Sequence, residues 1–345
     1  MMYKIIGRSG VLKLILFMAA GISAIIFSRD ISKGIQQGIY LCADVLVPSL
    51  FLFMVISAAA AKSLKLNSKR LDCFSRAVFG ISGRALFAVI LGITGGYPVA
   101  VAGLSELYKN GLISIRDAQK SAYIGFGAGA SFLITFIGIR LFNSFELGIV
   151  LFLSQIISVL ILGVINKHLI KGDYNSISEL SSSASKDDIL ISSVSCAVKN
   201  VVKMCVVVIL FSGIGEVIKR YFGNNTVILL EVCSACNLLS KDKNILLLAF
   251  AAGFGGICVH LQVFQALGDI KINKLLFFIY RIIQGLLTAL FTFIQYKLFN
   301  ISIPVFSSTT DKIAPALSGT VIGAVLLILT GIIFLFDTGR SLCAE

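Results

Sequence analysis

The chain contains no tryptophan and only four prolines among 345 residues. Without tryptophan, any aromatic belt at a membrane surface has to be built from tyrosine and phenylalanine. Charge is scarce as well: 14% of residues are charged, against about a quarter in an ordinary soluble domain. Such a chain cannot cover a soluble globule with polar surface. No nucleophile–base pair, P-loop or HExxH occurs, which leaves an ATP-driven pump or an intramembrane protease without support. There is no secreted disulfide framework either. The eight cysteines fall mostly inside or beside apolar runs (Cys42, Cys196, Cys205, Cys233, Cys236, Cys258), where they act as small buried hydrophobes.

What is present in quantity is apolar sequence. Hydrophobic residues make up 57% of the chain and its mean hydropathy is +0.96. The apolar runs are continuous rather than alternating with period two, so they span as helices and not as barrel strands. The expected fold class is an all-α polytopic membrane protein with about eight to ten membrane segments, some of them broken or re-entrant. The net charge of +13 sits mostly in the short gaps between runs, where it fixes orientation. It does not point to nucleic acid. Lys62–Arg84, with six basic residues against Asp72 alone, is the strongest cytoplasmic signal. It places the N-terminus inside too.

The segments are expected at about Val11–Ser28, Gly38–Ala61, Ala85–Tyr108, Ser121–Ile139, Phe145–Ile165, Ile189–Ile218, Asn244–Leu267, Leu275–Phe299 and Ala316–Phe336. The first is short enough to resemble a signal-peptide core, but Arg29-Asp-Ile31 follows it in place of a small-residue cleavage site. Thr226–Leu239 is too short to span and reads as re-entrant or broken. The chain thus divides into a short N-terminal span (1–34), a first repeat (35–166), a polar Ser-rich linker (167–188), a second repeat (189–300) and a C-terminal span (301–345). The repeat rests on an offset of 160 residues. Gly95-Gly-Tyr-Pro-Val99 falls on Gly255-Gly-Ile-Cys-Val259, and Leu50-Phe51 on Leu210-Phe211. If Ser121–Ile139 is re-entrant, as its glycines hint, the halves are inverted.

Interrupted helices at matching positions in two halves point to a transporter site near the bilayer midplane. Freed carbonyls and amides are tolerated there only where protein or a water-filled cavity receives them. Gly95, Gly96, Tyr97, Pro98, Gly255 and Gly256 are therefore expected to bind substrate with their backbone. Ionisable and polar side chains inside spans are expensive and join the same site. These are His260 and Gln262 after the second break, Arg281 and Gln284 one helical turn apart, and Glu231. A guanidinium grips carboxylate through two parallel bonds, which suits a dicarboxylate. Glu231 is expected to pair with Arg281 or to carry a proton. Asp44 is a partner candidate in the first half, whereas Lys199 and Lys203 read as interface markers. Cys233-Ser-Ala-Cys236 has metal or redox spacing but no second Cys/His pair, so no metal and no cofactor are expected.

The runs Asp44-Val-Leu-Val-Pro-Ser-Leu-Phe51, Gly95-Gly-Tyr-Pro98, Glu231-Val232, Gly253-Phe-Gly-Gly-Ile-Cys-Val-His-Leu-Gln262 and Arg281-Ile-Ile-Gln-Gly285 resemble sporulation integral membrane proteins of the YlbJ type. That family carries paired nucleoside-recognition (Gate) domains. The resemblance covers roughly residues 35–300. Where relatives show a polar Asn-Thr-Ser-Gly-Pro-like run, this chain has Gly125-Phe-Gly-Ala-Gly-Ala-Ser131. The resemblance implies a secondary transporter or facilitator of a small organic anion, dipicolinic acid, during endospore formation. It implies a multi-pass protein of the cell membrane or a forespore membrane. The partners expected are the lipid bilayer and the anionic substrate, with a homo-oligomer left open. A nucleoside or cation transporter, or a non-transporting scaffold for spore maturation, are the alternatives. An enzyme is not expected, since it would require Glu231 or Cys233 to be catalytic.

Overall fold

The computed structural model describes residues 8–63, 69–169, 189–223 and 226–299, among which there is no strand. The linker around 170–188 and the expected last span, Ala316–Phe336, lie outside these residues. Among the described residues four helices are long and apolar enough to cross a membrane, or up to six if each of two bent helix pairs is one span. At 1.5 Å per residue, α8 (Phe145–Leu169) and α14 (Lys274–Leu298) are each about 37 Å long, against a hydrocarbon core of about 30 Å. α9 (Ile189–Phe222) is longer still. It exposes Val198, Val202, Val206 and Leu210, a stripe at four-residue spacing that faces outward. Exposed apolar stripes of this extent are lipid-facing surface. The chain is a multi-pass, all-helical membrane protein.

In the first half, α1 (Arg8–Ile26) leads into α2 (Ser28–Leu41). A single π turn at Cys42–Leu46 joins α2 to α3 (Val47–Ser63), with a bend of 53°. This bent helix lies along α9. Glycines allow the approach: a Cβ on Gly34 would stand 2.3 Å from the Ser212 carbonyl oxygen, and one on Gly38 2.9 Å from the Ile209 Cα. Small residues four apart let membrane helices pack backbone to backbone. At the far end Arg220 reaches Asp30 at 2.6 Å. Asp44, on the π turn, pairs with Arg140 at 3.7 Å.

α4 (Lys69–Phe79) meets α5 (Gly83–Gly95) at 75°. Asp72 staples the corner, accepting from the Gly83 N–H at 2.9 Å and from Arg76 at 2.6 Å. Next, the expected span Ala85–Tyr108 is not one continuous helix. α5 turns back at Gly96 into α6 (Tyr97–Lys109), and the two helices pack as an antiparallel hairpin. A Cβ on Gly92 would lie 2.4 Å from that of Ala100, and one on Gly103 3.6 Å from that of Ala88.

α7 (Ile115–Ile124) then unwinds over 125–129 before a π-helix, Ser131–Leu141. This segment runs the length of α8. Asn166 near one end of α8 donates to the Lys120 carbonyl at 3.1 Å, and at the other end a Cβ on Gly138 would lie 2.7 Å from the Gly148 Cα. The element of the first half that doubles back on itself is therefore α5–α6 and not the Ser121–Ile139 segment.

The second half follows the same order. After α9, the four-residue α10 (Val227–Leu230) leads to a break at Glu231, and α11 (Val232–Lys241) turns back beside α12 (Ile245–Phe254). α12 is interrupted at Gly255, continues as α13 (Gly256–Leu267), and α14 follows. Gln119 donates to the Lys271 carbonyl at 2.6 Å, and the Asn273 N–H donates to the Tyr123 hydroxyl at 2.9 Å. α7 thus starts where α13 finishes, and the two interrupted spans run in opposite directions. The halves are inverted. The leading helices, α2–α3 and α9, lie side by side and antiparallel, with Asp30 against Arg220, Gly34 against Ser212 and Cys42 against Cys205. The glycine match does not survive, because Gly96 ends a hairpin and Gly255 interrupts a nearly straight span.

α8 and α14 close the two halves against each other through a polar seam. Thr288 donates to Ser158 at 3.2 Å, Gln295 to Ser154 at 2.9 Å and Tyr280 to Asn166 at 3.1 Å, all buried. Interhelical bonds of this kind contribute about 0.6 kcal/mol each in a membrane protein. On its other side α14 exposes Ile279, Ile282, Leu286, Leu290 and Phe293.

Candidate functional site

Four interruptions of helical backbone meet at one place. The hairpin tip at Gly96, the unwound 125–129 segment, the stretch after Glu231 and the break at Gly255 all line a single cavity of about 30 Å³. That is room for about one water molecule, and its walls are largely apolar. Gly96 has φ 88° and ψ 175°, a conformation open essentially to glycine alone. Its neighbour across the gap is Gly129, where a Cβ would lie 2.8 Å from the Gly96 nitrogen. The tip and the unwound segment therefore touch backbone to backbone. Gly255 adopts φ 86°, the left-handed turn that lets α12 end and α13 begin.

Glu231 is buried and spent on its own helix. Its carboxylate accepts from the Cys233 and Ser234 N–H groups at 2.9 and 2.6 Å, capping α11. The expected Glu231–Arg281 pair is not formed. Arg281, 2% exposed, donates instead to the carbonyls of Phe126 and Tyr123, with the Phe277 ring 5.3 Å beneath it. Those carbonyls are among the ones left free where α7 ends, and a cation there also complements the helix dipole. The guanidinium lines the cavity, yet two of its nitrogens already hold backbone. Arg281 is buried, not an interfacial anchor, and its Nε has no partner.

His260 is fully buried and bridges the second break. Its Nε2 bonds the Phe254 carbonyl at 2.9 Å, which puts the proton on that nitrogen and leaves Nδ1 an acceptor without a partner. The rings of Phe254, Phe277 and Phe278 surround it edge-on, with centroids 4.7 to 5.4 Å away. Gly95 and Gly256 do not line the cavity; they pack against Val99 and the Leu230 carbonyl.

Gln284 is fully buried, and neither atom of its amide has a hydrogen-bond partner. It lies beside Gln155, a residue that sequence reading missed inside a long apolar run. Gln155 donates to the Ala128 carbonyl at 2.6 Å, while its own oxygen has no partner. Both amides sit over Gly127, where a Cβ would stand 2.3 and 3.2 Å from their nitrogens. The polar positions Ser154, Gln155 and Ser158 recur at helical spacing within α8, the one signal in the sequence that pointed there.

Tyr97, Pro98 and Val263 also form a wall of a wider cavity, of about 420 Å³, between α6, α9 and α13. Gln262 belongs to this second cavity, as does Lys203, which reads as an interface marker from sequence. Cys233 and Cys236 are buried and free. Among the described residues no group of three or more His, Cys, Asp or Glu side chains is placed to hold a metal.

The geometry is that of a membrane protein built around interrupted helices. No family model, curated protein or solved structure matches this chain.

Proposed function

We propose that this protein is a secondary transporter or facilitator of a small organic anion, dipicolinate by its resemblance to the YlbJ-type sporulation proteins. One observation carries the reading: helix interruptions from both inverted halves converge on a shared buried cavity. Packing alone does not call for unwound backbone at membrane depth, whereas a site near the midplane does. α6 and α13 begin at this cavity, and Gly96 and Gly255 cap them without any side chain. α6 offers little, since Pro98 has no N–H and the Val99 N–H donates to the Gly96 carbonyl; the first amides of α13 are the ones placed to receive an anion, which a helix N-terminus favours. α11 differs, since Glu231 already occupies its N-terminus.

The central cavity in this conformation is too small for an organic anion, so loading it requires a wall to move. The Tyr97–Pro98 tip is the wall shared with the wider cavity, and rocking of one half against the other would open one side at a time. Uptake of labelled dipicolinate into liposomes containing the purified protein tests this. Saturable uptake absent from empty liposomes is expected, and its absence under every ion gradient would favour a scaffold. A second reading has its own observation. The unpartnered amide of Gln284 and the free oxygen of Gln155 suit a neutral ligand with donors and acceptors, such as a nucleoside. Competition by uridine rather than by dicarboxylates would select it.

A further inference from the structure

The wider cavity has a chemistry of its own. Its 420 Å³ falls within the range of about 300–1,000 Å³ typical of small-molecule sites. α6 contributes Glu106 and Lys109, α9 contributes Asn200 and Lys203, and α13 contributes Gln262. Two ammonium groups against one carboxylate leave the lining with a net charge of +1. Among the described residues neither lysine is paired with a carboxylate. Lys203 stands in an otherwise apolar run, Val201-Val-Lys-Met-Cys205. An ammonium in such a run is costly unless it faces a polar, water-filled space. Gln262 lies nearby, and its buried amide oxygen has no partner.

The cavity also has a direction. Its floor is Tyr97 and Pro98, and its rim includes Asn110 and Gly268, which end α6 and α13. The Gln119–Lys271 bond ties α7, which follows the turn after α6, to the turn after α13, and Arg84, the last residue of the basic stretch, donates to the Leu112 carbonyl at 3.3 Å. The opening is thus at the basic end of the molecule, and the closed end abuts the central cavity.

We propose that this cavity is an antechamber that binds a small organic dicarboxylate, one carboxylate on Lys109 and the other on Lys203, before the Tyr97–Pro98 wall admits it. The proposal rests on the transport reading above. The two lysines are exposed to this cavity, whereas Arg281 is buried with two nitrogens on backbone carbonyls. Glu106 opposes binding and limits it, which lets the ligand move on.

Calorimetry on the purified full chain in detergent tests this, with pyridine-2,6-dicarboxylate, benzoate and uridine as probes. The dicarboxylate is expected to bind best and to weaken as salt is raised. Lys109→Gln and Lys203→Gln should each weaken it about tenfold, the loss of one charge-assisted contact. Lys203→Arg should retain it, and Glu106→Gln should tighten it. Both lysines are exposed at the cavity, so the variants should elute and melt like the parent protein. Unchanged affinity in the double Gln variant, or no binding of the dicarboxylate, would overturn the antechamber. The liposome assay separates the two readings. Lysine-dependent binding by a protein that moves nothing would leave the antechamber standing and sink transport. Uptake with unaltered KM in the double variant would do the reverse.

Discussion

The contact between Gly96 and Gly129 is where one added carbon should do most harm. At Gly96 the backbone sits at φ 88° and ψ 175°, where a side chain costs about 1–3 kcal/mol in strain. The same Cβ would also come within 3.2 Å of the Gly129 nitrogen. At Gly129 the conformation is ordinary, but a Cβ would lie 2.8 Å from the Gly96 nitrogen, 2.9 Å from the Gly95 carbonyl carbon and 3.1 Å from the Thr94 carbonyl oxygen. All three are backbone atoms, so relief requires the hairpin tip to withdraw. Overpacking typically costs about 1–3 kcal/mol, and contacts with backbone should fall at the upper end. Gly215→Ala, with nothing within 4 Å of its Cβ, is the control and should be neutral or slightly stabilising in its helix. Thermal unfolding in detergent should therefore place Gly129→Ala below the parent by about 3 kcal/mol, and Gly96→Ala by a similar amount. Uptake should be lost in both beyond what stability explains, because the displaced tip is the wall between the cavities. If Gly129→Ala matches Gly215→Ala in melting and in uptake, the tip and the unwound segment do not meet as described.

Other tests follow from particular contacts. Arg281→Gln removes two charge-assisted bonds to the Tyr123 and Phe126 carbonyls and should cost about 3 kcal/mol or more. Glu231→Gln should not rescue it: the two losses should add within about 0.5 kcal/mol, whereas a rescue would mean the residues pair after all. Gly34→Leu, which drives a side chain into the Ser212 carbonyl, should separate α2 from α9 and lower the melting temperature, while Gly21→Leu should not. Cys73, exposed on α4 within the basic stretch, should react with an impermeant thiol reagent in permeabilised cells and resist it in intact ones. Labelling in intact cells would reverse the orientation.

The fold class was legible because its signals are repeated and local. Apolar runs of spanning length and short basic gaps need no tertiary information. Gly95-Gly-Tyr-Pro98 announced an interruption, but an interruption does not say whether the chain turns back or goes on. Packing partners decide that: Gly92 opposite Ala100 closes the hairpin, and nothing comparable folds α12 onto α13. The glycines of Ser121–Ile139 pointed to a piece that turns back there, whereas the element that doubles back is α5–α6. The partner of Arg281 was hidden for a simple reason. Free backbone carbonyls at 123 and 126 carry no residue signature, whereas Glu231 carried an obvious charge and was already committed to its own helix end. Lys203 looked like an interface marker in a list of residues, and only the approach of α6 and α13 gives it a cavity. Gln155 offered a faint signal, polar positions at helical spacing inside α8, that becomes meaningful once Gly127 leaves room for its amide.

The central claim is that two inverted halves enclose one site reached alternately from each side of the membrane. Counterflow tests it most directly. Liposomes holding the purified protein are preloaded with unlabelled dipicolinate at high concentration and diluted into a trace of the labelled compound. An alternating site exchanges one for the other, so the label should accumulate transiently above its outside concentration, and Gly129→Ala should abolish the overshoot. Label that only equilibrates, with no overshoot at any preload, would contradict the claim, because a passive pore or a scaffold gives that result and a single alternating site does not.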